Sequence, residues 1–160
     1  MTTQGEAEFT APAVLLEQEQ TLRLDHIDEV TCYRIGSWIA ERSLQASQTV
    51  TVVVVLDGRT VYKAALPGTS AGNDMIIEGK ARVSHLGQHS SLYERNRYLA
   101  EGTTFEAVTG LSQPEYAPYG GSVPLIATAG VCEGLVVVSG LSQEDDHDLA
   151  VAGIRSAQQP

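Results

Sequence analysis

Basic charge is scarce in this chain of 160 residues: ten lysines and arginines stand against twenty acids, for a formal charge of -10. A surface of that sign repels phosphate backbones and anionic lipid heads, so neither nucleic acid nor a membrane is an expected partner. Long apolar runs are missing too. The longest, Val50 to Leu56 broken by Thr51, is far too short to cross a bilayer. Met1 to Glu8 is polar and acidic, with no basic stretch leading into an apolar one. A secretory signal is therefore not expected, and the expected location is cytoplasmic. Cysteine is limited to Cys32 and Cys132, far apart and in no metal-like spacing; one falls in a helical pattern and the other in a strand pattern. They read as two reduced core thiols. Motifs for nucleophilic and phosphate chemistry are absent as well. There is no Gly-x-Ser-x-Gly elbow, and Gly68-Thr69-Ser70-Ala71-Gly72 lacks the lysine of a phosphate loop.

What is present is ordinary globular usage, with 42% hydrophobic and 19% charged residues and a mean hydropathy of -0.07. Met1 to Pro12 reads as a flexible arm, and residues 13–160 as a single domain with no repeat or linker to divide it. Leu15 to Leu24 alternates weakly and fits a short helix followed by a short strand. Asp25 or Asp28 can cap a helix running to about Gln45, with Val30, Ile35, Trp38 and Ile39 on or near one face. Thr49 to Leu56, Asp57-Gly58 and Thr60 to Leu66 form a hairpin pattern rich in β-branched residues. A helix starting near Asn73 is expected to bury Met75, Ile76, Gly79, Val83 and Leu86. Further helices are expected over Ser91 to Ala100, Thr104 to Val108 and Gln143 to Ala157. A second hairpin, Ser122 to Thr128 and Val131 to Ser139, turns at Ala129-Gly130. Two hairpins separated by helices predict an α+β fold in which both join one antiparallel sheet; neither is a parallel crossover.

The residues that can carry chemistry are few. His85 and His89 stand four apart, a spacing that suits a shared metal. No acid lies between them and no third ligand is near, so no metal site is expected. Glu144-Asp145-Asp146-His147-Asp148 opens the last helix, where acids favour the free N–H groups of a first turn; it reads as a solvated helix start. Gly120-Gly121 before a strand and Gly134 within one read as a tight turn and a bulge, or as places where a ligand approaches the backbone. Acid–base chemistry remains open to Lys80, His89, Tyr93, Tyr116, Tyr119 and His147.

Several of these segments fall into a known pattern. Gly120-Gly121-Ser122-Val123-Pro124-Leu125, Gly130-Val131, Gly134, Val138-Ser139-Gly140-Leu141-Ser142-Gln143 and Asp146-His147 resemble the C-terminal signature of the haem-degrading-domain family, the HbpS- and GlcG-like proteins. Upstream, Leu15 to Glu19, Leu66-Pro67-Gly68-Thr69, Asn73-Asp74, Lys80 and Ser90-Ser91 are similar too. The resemblance covers nearly the whole chain from Leu15. It implies a profilin-like antiparallel sheet flanked by helices, a homo-oligomer, and haem binding or degradation as the family's label.

The departures shape the functional expectation. Gly72-Asn73, Ile76 and Gly79 stand where the family pattern has an Asp-Asn pair, Trp and Arg; Gly87-Gln88-His89 replaces Phe-Gly-Arg, and Tyr119 replaces a histidine. A pocket so altered is expected to be roomier, greasier and less able to bind haem propionates, which Arg serves well. The resemblance with these departures implies a cofactor-independent acid–base enzyme on an apolar metabolite, by dehydration, isomerisation or conjugate-addition ring closure. Tyr119 or Tyr116 would polarise a carbonyl and His89 or Lys80 would move a proton, with Asn73, Ile76, Gly120, Gly121 and His147 as ligand contacts. The alternative is a module binding haem or another small ligand, with His85, His89 or His147 as axial ligand.

Overall fold

Asp57 and Gly58, both at positive φ, make the tight turn that the sequence pattern demands, and the first hairpin forms around it. Its strands are β1 (Thr51–Leu56) and β2 (Arg59–Ala65). The second hairpin pairs β3 (Ser122–Ile126) with β4 (Cys132–Ser139). β1 lies antiparallel to β4, from Thr51 opposite Ser139 to Leu56 opposite Gly134, which joins the hairpins into one four-stranded sheet of order β2-β1-β4-β3. A side chain at Gly134 would strike the Val55 carbonyl, so the β1–β4 approach there requires glycine. The computed structural model describes residues 9–159. The greater part of the expected N-terminal arm lies outside the described residues.

The helices are α1 (Pro12–Thr21), α2 (Glu29–Gln45), α3 (Ala71–Gly87), α4 (Ser91–Ala100), α5 (Phe105–Thr109) and α6 (Gln143–Ala157). Asp28 caps α2 by accepting from the Thr31 N–H, as the sequence foresees. The weak strand expected before Leu24 reduces to one isolated bridge, Leu24 with Ala127. Alternation along the strands divides them between two faces. Val52, Val54, Val123, Val136 and Val138 point towards α2 and α6, where Ile35, Ile39, Ala150 and Ile154 complete the main core. Val53, Leu135 and Val137 point the other way, against Ile77 of α3. A third cluster, Val83, Tyr98 and Phe105, ties α3 to α4 and α5. The α+β arrangement of an antiparallel sheet flanked by helices is thus the observed one.

The expected buried stripe of α3 is displaced. Its inward residues are Ile77, Gly79, Lys80, Val83 and Ser84, while Met75 and Leu86 are 53% and 55% exposed. The sequence pattern placed only apolar residues inside; the actual inward face carries a lysine and a serine whose polar atoms find partners, which rotates the helix away from the purely apolar solution.

Candidate functional site

Lys80 occupies the centre of α3 and is 2% exposed. Its ammonium donates to Asp146 Oδ2 at 2.9 Å and to the Val138 carbonyl at 2.9 Å. That accounts for two of its three donors. Asp146 is itself 2% exposed and held from below: the Leu141 N–H donates to Oδ1 at 2.9 Å and the Gly140 N–H to Oδ2 at 3.4 Å. Burial holds the Lys80 ammonium below the usual lysine value, against the opposing attraction of Asp146. The C-terminal end of β4, the turn after it and the first turn of α6 therefore bracket one buried ion pair.

That pair corrects the expectation of a solvated helix start. Ser142 supplies the cap, accepting from the Asp145 N–H. Asp146, one turn in, faces α3, and His147 faces α1, each 2% exposed. The physical reason is rotation: successive positions around the start of a helix face different directions, and those of Asp146 and His147 turn inward to Lys80 and Gln18. His147 Nε2 lies 2.7 Å from Gln18 Oε1, its Nδ1 has no partner among the described residues, and burial lowers its pKa from 6.5 to about 4.

A cleft of about 290 Å³ opens beside the Lys80–Asp146 pair. Ile76 and Lys80 line it from α3, Tyr119 from the loop before β3, Ser139 from the end of β4, and Gly140 and Leu141 from the turn after it. Gln143 and Asp146 close it from α6. Gly121 is required here. Its φ is 136°, and a side chain would meet the Val138 carbonyl and approach Lys80 Nζ to 2.7 Å. Gly120 donates its N–H to Gln143 Oε1 at 3.3 Å, and a side chain there would meet the Gln143 carbonyl. Gly121 lets the chain press against Lys80 and Asp146, and Gly120 lets it press against Gln143. Asn73 has a structural post: its side chain reciprocates with Ser70 in a capping box at the start of α3.

Of the residues singled out from sequence, the cleft brings together Lys80, Tyr119 and Ile76, with Gly121 against the lysine. Tyr119 lines the cleft, while its hydroxyl accepts from Gln113 Nε2 at 2.8 Å. His89 is elsewhere. The left-handed Gln88 ends α3, so His85 and His89 do not share a helix. His89 Nδ1 is 2.8 Å from the buried Glu19 Oε2, and its ring packs edge-on to Tyr93. Tyr116 packs near Phe105 and joins His85 in a second, apolar groove of about 270 Å³, with Val55, Ala81, Leu86 and Leu135. His85 has no hydrogen-bond partner through its ring among the described residues, whereas Arg82 beside it bonds the Glu115 carbonyl and Glu78. Asp146 is the residue that sequence reasoning missed as a site member. Its signal was present in the Asp146-His147 pair, masked by the acids around it.

Neither cysteine joins these clefts. Both are free, and burial pushes the Cys32 thiol up to about 11 and raises that of Cys132 as well. Among the described residues no three histidines, cysteines or acids are grouped to hold a metal ion, and no helix is long and apolar enough to cross a membrane.

Comparison with known proteins places this architecture. The chain is 36% identical over 148 residues to a UPF0303 protein of Streptomyces coelicolor, covering 91% of this chain and 93% of that one. It is 30% identical over 143 residues to a UPF0303 protein of Schizosaccharomyces pombe, covering 88% and 80%. Among solved structures, Ybr137w protein superimposes with a TM-score of 0.84 at 22% identity, over 94% of this chain and 90% of that one. A PduOC:heme complex gives a TM-score of 0.68 at 20% identity, over 81% and 94%. At these identities the structures share the fold. The family model described as haem degrading protein HbpS-like matches residues 27–155, and the chain belongs to that family.

Proposed function

We propose that this protein binds an apolar small molecule in the Lys80 cleft and that any chemistry there is proton transfer through the Lys80–Asp146 pair. The observation that carries the reading is the pair itself. Burying two charges is costly, and a pair that lines an open cleft is placed where its charge can act on a ligand. Ile76 and Leu141 supply apolar wall, and the third ammonium donor is left for an oxygen of the ligand. His89 is committed to Glu19 and Tyr116 to the other groove, so proton transfer in this cleft rests on Lys80. Such a reaction, whether dehydration, isomerisation or ring closure, needs no cofactor. Native mass spectrometry of freshly purified protein is expected to reveal a retained small molecule that is absent from Lys80→Met. Equal retention by a folded Lys80→Met variant would place the ligand elsewhere.

A second reading, haem binding, is favoured by the His85 groove and by the family. The donor chemistry fits: an imidazole with no hydrogen-bond partner for its ring among the described residues, beside an apolar wall and Tyr116. His85 would hold the iron and Arg82 would stand near a propionate; bound iron would supply oxygen or redox chemistry. His147 is buried with Gln18 and His89 is paired with Glu19, so neither competes for that role. The volume of the groove, about 270 Å³, is just below the range of enclosing ligand pockets, roughly 300–1,000 Å³. Hemin titration tests this by the Soret band: a stoichiometric shift lost in His85→Ala supports it, and no defined shift removes it.

A further inference from the structure

Tyr119 borders more than the Lys80 cleft. On its other side lies a depression of about 210 Å³, whose lining includes Arg95 and Leu99 of α4, Phe105 of α5, and Gln113. The same tyrosine is the shared wall. Each hollow alone is smaller than the roughly 300–1,000 Å³ usual for ligand sites, whereas a joined space would fall inside that range.

The wall is lightly held. One hydrogen bond from Gln113 Nε2 reaches its hydroxyl, and the Arg95 guanidinium sits 5.3 Å from its ring centroid. Its backbone is fixed on the far side by Gly120 and Gly121, which fit closely against Gln143, Val138 and Lys80. The side chain can therefore turn about its own torsions while the chain stays in place.

The two ends differ in charge. Lys80 is matched by Asp146 at 2.9 Å, so that end is electrically balanced and suits a neutral oxygen. Arg95 makes no ion pair among the described residues; its recorded contact is the Tyr119 ring, and Glu106 is the acid in the same lining. In a chain of net charge -10, an arginine that forms no ion pair among the described residues, with Thr104 and Gln113 as polar neighbours, is a place where an anionic group can gain despite the presence of Glu106. Between the ends, Ile76, Leu141 and Leu99 supply apolar surface.

We propose that Tyr119 is a movable partition between two halves of one elongated site, which takes an apolar molecule with a neutral oxygen at Lys80 and a carboxylate at Arg95. This rests on the Lys80 cleft being the ligand site. The probes are butyrate, decanoate and 1-octanol, titrated into the full chain with backbone amide shifts read by NMR. Decanoate is expected to move the amides of Gly140 and Leu141 together with those of Arg95 and Leu99. Butyrate is expected to move the Arg95 set alone. Tyr119→Ala should tighten decanoate over butyrate by about tenfold, and Arg95→Gln should weaken decanoate by about tenfold while leaving 1-octanol unchanged, as for one charge-assisted hydrogen bond. If decanoate moves only the Gly140 set in the wild type, the partition is overturned and the Lys80 site stands. If no probe moves the Gly140 set, the Lys80 reading fails and the partition with it. The wild-type shifts decide the matter even if Tyr119→Ala does not fold.

Discussion

The two flanks of α3 make opposite use of the same helix. On one, Lys80 is buried against Asp146, the Val138 carbonyl and the Gly121 backbone, and polar atoms decide the packing. On the other, His85 and the 55% exposed Leu86 border a groove of valine, leucine and tyrosine with few polar contacts. The first flank is fixed by electrostatics and intolerant of change. The second is an exposed apolar surface, tolerant of change in the isolated chain and available for contact. Stability and ligand recognition are therefore expected to separate by flank.

The largest effect should come from breaking the charged flank. Asp146→Ala leaves the Lys80 ammonium buried without its counter-charge and is expected to cost about 3–5 kcal/mol in denaturant unfolding. Lys80→Met combined with Asp146→Leu should recover much of that loss, because it removes both charges. If the double variant is as unstable as the single one, packing and not charge dominates this flank.

Next in size is an acid effect at the adjacent position. His147 titrates near 4 in the folded protein against 6.5 when free, so between those values the unfolded chain takes up a proton that the folded chain refuses. Its contribution to stability is intact above pH 6.5 and is lost as the pH falls towards 4, by up to about 3 kcal/mol. Thermal unfolding from pH 7 to pH 4 should show this slope, and His147→Gln should flatten it. The smallest effect belongs to the apolar flank. Leu86→Ser should shift stability by no more than about 0.5 kcal/mol. A large loss there would show that this flank is covered in solution.

Much of the fold was legible because local signals agreed with one another. The Asp57-Gly58 turn, the β-branched strands around it and the span of α6 from Gln143 to Ala157 stand as read, and of the two candidate caps, Asp25 and Asp28, the second is the cap of α2. The interior of α3 was not legible by the same means. Hydrophobic periodicity counts a lysine as outward, yet Lys80 is inward because Asp146, distant in sequence, supplies its partner. Likewise α1 alternates weakly because one of its two buried residues is Glu19, satisfied by His89 and the Ser90 N–H. The cleft was legible only in fragments, through Lys80, Tyr119 and the paired glycines. The missing member, Asp146, was hidden among acids whose ordinary role is capping.

The fastening of α1 also sets an order of events during synthesis. Glu19 closes on His89 and Ser90, and Gln18 on His147, the latter 129 residues further along the chain. At a synthesis rate of about 5–20 residues per second, α1 leaves the ribosome on the order of ten seconds before α6 exists to receive it. The first hairpin waits too, since β1 takes its second neighbour from β4. The docking of α1 is thus begun once α4 is made and completed only when α6 supplies His147, and its weak apolar face suits a segment that must stay soluble while its partners are being made.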